Sequence, residues 1–227
     1  MNPPTPDRRL SLRQARQLMD TAYLAAATAL LWLALYYLPI GSPLFRLALP
    51  LPLALLQLRH GWRCAVEGMV VATLLLVALM GPIRGPLVLF PYGLLALWLG
   101  WGWRRRCSWW LTLGLGALIG TAGFLVRLAV LSLLVSENLW VVITSAAARF
   151  LEWLLGLVGL IPGLEALRAP MFDLFEVQVA ALLLLLFQNL MVVLCLHAVA
   201  YWIFPRLKSP ISEPPPLLRA LVALDPL

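Results

Sequence analysis

The feature that most constrains this chain is a succession of apolar runs, each close to the roughly 20 helical residues that cross a bilayer, separated by arginine clusters or Gly/Pro turns. A helix satisfies its own backbone hydrogen bonds, so such runs fold as membrane-spanning helices. The runs fall at about 19–38, 44–58, 63–80, 87–103, 109–135 and 177–204. The expected fold is therefore an all-α integral membrane protein, a six-helix transmembrane bundle. Composition leaves no soluble alternative: 63% of residues are apolar, 12% are charged and the mean hydropathy is +0.93.

The boundaries follow from local chemistry. The first run is preceded by Arg8, Arg9, Arg13 and Arg16 and has no small-residue cleavage site before Pro39, so it reads as an uncleaved span rather than a signal peptide. The second contains Pro50 and Pro52, which kink a membrane helix whose neighbours satisfy the freed carbonyls. The third stops at the turn "GPIRGP" and the fourth at Arg104, Arg105 and Arg106. Residues 1–18 then form a basic N-terminal segment, 19–204 the membrane domain and 205–227 a proline-rich tail, "PRLKSPISEPPP", that favours an extended tether.

One piece is ambiguous by hydropathy alone. "NLWVVITSAAARFLEWLLGLVGLIPG" is long enough to cross, yet Arg149 and Glu152 stand near its middle. Loop charges decide against a crossing. With six crossings and both termini cytoplasmic, Arg8, Arg9, Arg13, Arg16, Arg59, Arg63, Arg104, Arg105, Arg106, Arg206, Lys208 and Arg219 all lie inside, twelve of the 17 basic residues. The expectation is a long outer connection, 136–176, that lies on or re-enters the outer interface and is bounded by Pro162 and Gly163. The net charge of +7 thereby reads as a topology signal, not a nucleic-acid footprint. Trp62, Trp98, Trp101, Trp103, Trp109, Trp110 and Trp202 crowd the cytoplasmic ends, as interface anchors do.

Catalytic signatures are missing from the sequence. It has no Walker A, HExxH or GxSxG pattern, and Cys64, Cys107 and Cys195 are too dispersed for a metal knuckle. No enzyme activity, cofactor or metal is therefore expected. His197 is expected to be a hydrogen-bonding core residue, and Arg63 is spaced to pair with Glu67. The informative residues are polar groups inside apolar runs. Arg127 in "AGFLVRLAVLSLLV" costs about 3 kcal/mol at a helix centre, so it should face a polar cavity or a partner, or snorkel outward. Gln188 and Asn189 sit mid-way along the last run, where amides join helices or meet a ligand. Arg149 and Glu152, three apart, share a helix face. Arg127, Gln188, Asn189, Arg149 and Glu152 form the candidate substrate-binding set. Gly114, Gly116, Gly120 and Gly123 allow either close packing or a vestibule beside Arg127. In "TAYLAAATAL", Ala22 with Ala26 and Ala25 with Ala29 have the small-residue spacing that permits close helix approach.

The passage "LPLPLALLQLRHGWRCAVEGMVVATLLLVALMGPIRGPLVLFPYGLLALWLGWGWRRRCSWW", continuing through "GFLVRLAVLSLLVSENLW", resembles an uncharacterised bacterial membrane-protein family labelled YybS-like. That family in turn resembles the substrate-binding S components of energy-coupling factor vitamin transporters. The resemblance implies a six-helix bundle in the bacterial cytoplasmic membrane that captures a small molecule from outside, such as a vitamin. It also implies docking through the first helix, with Ala22, Ala25, Ala26 and Ala29 as the face, on a transmembrane coupling subunit energised by separate ATPases. Two further functions compete: a non-enzymatic scaffold or assembly factor for another membrane complex, and an enzyme of lipid-linked substrates using Arg127 and Arg149 to hold phosphate.

Overall fold

Helix ends fall where the sequence supplies caps and corners. Ser11 opens the first helix with a capping box: its hydroxyl accepts from the Gln14 N–H at 3.3 Å, and the Gln14 side chain accepts from the Ser11 N–H at 3.0 Å. Asp173 and Glu176 repeat the device at the last helix. Gly61 and Gly81 take positive φ, 96° and 89°, at two sharp corners that a β-carbon would strain. The computed structural model describes residues 11–38, 42–158 and 173–216, together with Leu218. Its helices are α1 (Leu12–Tyr37), α2 (Ser42–Ala48), α3 (Leu51–His60), α4 (Trp62–Met80), α5 (Tyr92–Arg104), α6 (Trp109–Val135), α7 (Leu139–Val158) and α8 (Leu174–Arg206). A 3₁₀ turn, Gly85–Leu89, leads into α5, and no strand occurs among the described residues.

Long-range contacts fix the direction of each element. Gln17 on α1 meets Cys64 on α4, and Gly68 on α4 faces Thr21, so α1 and α4 run in parallel. Asp20 faces Arg59 and His60, so α3 runs against α1. Gly100 and Arg104 pack on Ala54 and Gln57, which makes α5 parallel to α3. Thr112, Gly116 and Gly120 on α6 face His197, Val193 and Asn189 on α8, an antiparallel register that brings Val135 toward Leu174. The chain thus alternates through α1, α2–α3, α4, α5, α6 and α8. The start of α1 and the end of α8 share one end, where Arg59 donates to the Leu207 carbonyl at 2.8 Å. This is the basic end.

Six described helical stretches are long and apolar enough to cross a membrane, as expected in number: Leu12–Tyr37, Trp62–Met80, Gly85–Arg104, Trp109–Val135, Leu139–Leu157 and Leu174–Arg206. Membership differs in two places. The second expected run is broken at Pro50 into α2 and α3, of 7 and 10 residues, neither long enough alone. The ambiguous segment is instead a 20-residue apolar helix, α7, packed on α6 and α8. It leaves the end of the bundle opposite the basic one, the same end at which α8 begins. Pro162, Gly163 and the rest of 159–172 lie outside the described residues.

Burial corrects three local expectations. Trp62 and Trp110 are exposed, but Trp103 and Trp109 are buried against His197 with ring centroids 5.4 and 5.0 Å away, so these two are core rather than interface anchors. His197 is the expected hydrogen-bonding core residue. The Val193 carbonyl can only accept, so it takes the Nδ1 proton at 2.9 Å, while Nε2 lies 2.9 Å from the Thr112 hydroxyl. The tail is not a free tether over its described part: Trp109 Nε1 donates to the Ser212 carbonyl at 3.1 Å, and Pro214 and Leu218 are buried. Arg63 and Glu67 are both exposed and make no ion pair with each other. Elsewhere large apolar side chains point outward, Leu30, Leu133 and Leu183 among them, as a lipid-facing surface requires.

Candidate functional site

Arg127 is placed by the packing of α6 against α1. Trp32 and Tyr36 are four apart on α1 and therefore share a face. Trp32 is wholly buried, and Tyr92 from the start of α5 meets it edge-on at 5.8 Å. Half-buried Arg127 lies across this aromatic bed with its guanidinium carbon 5.2 Å from the Trp32 ring centre, and its Nη2 donates to the Tyr36 hydroxyl at 3.0 Å. A cation–π contact contributes about 0.5–2 kcal/mol and a hydrogen bond to a charged group about 1.5–3, together comparable to the roughly 3 kcal/mol insertion cost. The arginine is tolerated because aromatic rings replace its water. Trp32 Nε1 has no hydrogen-bond partner among the described residues.

Clefts open at this end. One, of about 500 Å³, lies between the α4–α5 turn and the last turns of α6, lined by Met80, Arg84, Leu87, Leu131 and Leu134. Leu131 and Leu134 follow Arg127 at four and seven residues, so the arginine lies on the same face of α6, one turn below the cleft floor. Met80, Leu87 and Leu131 also pack in the apolar cluster that holds Trp32 and Tyr92. A second cleft, of about 690 Å³, separates α6 from α7 and is lined mainly by apolar side chains, with Ser132, Glu137 and Asn138 at its mouth. Arg127 lines neither.

The remaining candidates do not converge on Arg127. Asn189 donates to the Leu185 carbonyl at 2.8 Å and packs on Gly120, two turns of α6 from Arg127. Gln188 is exposed beside it. Arg149 and Glu152 are exposed on α7 and make no ion pair with each other. The alanine pairs separate too: Ala25 and Ala29 are buried in the chain's own core and unavailable for docking, whereas Ala22 is exposed and Ala26 half-buried. Nor do the glycines before Arg127 form a vestibule, since Gly116, Gly120 and Gly123 are filled by Val193, Asn189 and Pro91. Sequence reading missed Trp32 and Tyr36 as partners of Arg127; the four-residue step from Trp32 to Tyr36 was the available signal.

Comparison with known proteins agrees with this architecture. Over 95 residues the chain is 30% identical to "Uncharacterized protein YybS" of Bacillus subtilis (strain 168), a match covering 42% of this chain and 30% of the relative's own length. The chain thus matches less than a third of that relative. No solved structure matches. Residues 26–221, most of the chain, match the family described as "Predicted membrane protein (DUF2232)", and the chain belongs to that family.

Proposed function

We propose that the protein acts by binding rather than catalysis, as a membrane-embedded capture subunit for a small anionic molecule, energised by separate subunits. The observation that carries this reading is the placement of Arg127: half-buried, bonded among the described residues only to aromatic groups, and one turn below a cleft of about 500 Å³ lined in part by Arg84. A cleft of that size suits a vitamin-sized ligand, and two guanidinium groups near it favour a carboxylate. In this reading the protein sits in a bacterial cytoplasmic membrane with its basic end inside, so the cleft opens outward.

Arg127→Leu is expected to fold, since it removes an insertion penalty, yet to lose the thermal stabilisation that wild-type protein gains from a panel of water-soluble carboxylates. Arg127→Lys is expected to keep only part of it, because an ammonium lacks the guanidinium fork. No stabilisation of wild type by any member of the panel, or equal stabilisation of Arg127→Leu, would remove the capture reading. Orientation is tested separately. In a background lacking Cys64, Cys107 and Cys195, Arg105→Cys and Lys208→Cys should react with an impermeant thiol reagent only from the cytoplasm, and Arg84→Cys and Glu137→Cys only from outside.

A scaffold role for another membrane complex is the second reading, favoured by α7. Among its described residues only Ala147 is buried, and Val141, Val142, Phe150, Trp153 and Leu154 face outward. A stoichiometric membrane partner that co-purifies without ATPases and is lost on Phe150→Ser/Trp153→Ser would favour it.

A further inference from the structure

The opposite end of the molecule holds a second and more strongly charged cleft. It measures about 460 Å³ and is lined by Arg13, Arg16 and Gln17 from α1, Arg59 and His60 from the end of α3, and Arg104 from the end of α5. Residues separated by up to 91 positions converge there. The α3–α4 corner makes this convergence: because Gly61 has no β-carbon, the Arg104 guanidinium lies against the backbone, where a β-carbon would stand 3.1 Å from Nη1, and donates to the Gln57 carbonyl at 3.1 Å. Arg59 is fixed by the Leu207 carbonyl at 2.8 Å, by the Ser209 hydroxyl at 3.3 Å and by Asp20 at 3.7 Å. Asp20 also holds His60 Nε2 at 2.7 Å. Arg13 and Arg16, three apart in the first turns of α1, take part in neither of these ion pairs.

Four guanidinium groups therefore surround one small cleft, and among the described residues a single carboxylate, Asp20, is bonded to two of its basic walls. A positive-inside signal requires a count of basic residues near the membrane, not their convergence on a common space. Like charges held together this way repel when the space is empty, and an anion with several acceptor oxygens relieves that repulsion. Planar guanidinium forks match the oxygens of phosphate, and two of the four are already oriented by bonds to the protein. We propose that this cleft binds a phosphate-bearing group, either the headgroup of an anionic phospholipid or a small soluble phosphate. Arg13 and Arg16 close on the phosphate from α1, Arg59 and Arg104 form its fixed wall, and Gln17, His60 and the apolar Leu12 complete the described lining. The site is independent of the Arg127 reading and lies at the other end of the bundle.

The test uses the full-length protein. Thermal unfolding is followed in detergent with inorganic phosphate or glycerol 3-phosphate, and in phosphatidylcholine nanodiscs with and without phosphatidic acid. Wild-type protein is expected to be stabilised by at least one of these probes. Arg13→Gln/Arg16→Gln should weaken that response about tenfold or more, while the unfolding temperature without probe holds or rises because the repulsion in the empty cleft is reduced. Arg105→Gln/Arg106→Gln removes the same charge from the same end without touching the cleft, and it should respond as wild type does. Stabilisation by phosphatidic acid alone identifies a lipid headgroup, and stabilisation by the soluble probes identifies a free phosphate; both support the site. Absence of any response in wild type, or equal losses in the two double variants, would overturn it.

Discussion

Trp32→Ala should be among the most damaging single substitutions in this protein, lowering stability by about 3–5 kcal/mol. Trp32 is wholly buried between α1, the turn before α5 and α6, so its removal leaves a cavity among Ala29, Leu49, Leu76 and Leu87. It also strips the aromatic face from Arg127, leaving a guanidinium in an apolar setting with only Tyr36 beside it. One term works the other way: Trp32 Nε1 is buried without a partner among the described residues, and losing that orphan donor returns about 1–3 kcal/mol. Packing and cation burial together exceed it, and Trp32→Phe separates the two effects. Phenylalanine keeps a ring under Arg127 and removes the orphan N–H, so most of the stability should survive. Thermal unfolding in mild detergent measures both variants. If Trp32→Ala unfolds at the wild-type temperature, Arg127 is held by something other than this bed.

The positions of the helices were legible because hydropathy and turn chemistry are local properties. The stop at Gly81, the end of α5 at Arg104 and the start of α6 at Trp109 all stand where the residues place them. Pairing between helices is not local. Nothing near Arg127 shows that α6 turns it toward Trp32, because that contact spans 91 positions in the Tyr36 bond alone. The two alanine faces of α1 look alike in sequence, and only the approach of α3 and α4 buries Ala25 and Ala29 while leaving Ala22 outside. The basic cleft was hidden for a related reason. Each of its arginines was fully accounted for as a topology signal, so their convergence through Gly61 had no separate trace.

The glycines of α6 provide a matched test of that tertiary packing within one helix. A β-carbon on Gly123 would stand 2.7 Å from Pro91 Cα and 2.8 Å from its Cβ, and neither atom can swing aside as the end of a long side chain can. Gly123→Leu must therefore push α6 away from the start of α5, with a loss of about 1–3 kcal/mol or more. Gly114 faces open space, with nothing within 4 Å of where a β-carbon would be. Gly114→Leu adds an apolar side chain to a lipid-facing position and replaces the poorest non-proline helix former, so stability should hold or rise by up to about 1 kcal/mol. Gly120 lies between these limits, because its neighbour is the Asn189 amide oxygen at 2.6 Å, a side-chain atom, although that amide is tied to the Leu185 carbonyl. Gly120→Ala should lose less than Gly123→Leu and more than Gly114→Leu. The order of unfolding temperatures across the three variants reads the rotation of α6 directly. Equal damage from Gly114→Leu and Gly123→Leu would mean that α6 presents a different face to α5, and Arg127 could not then lie on Trp32.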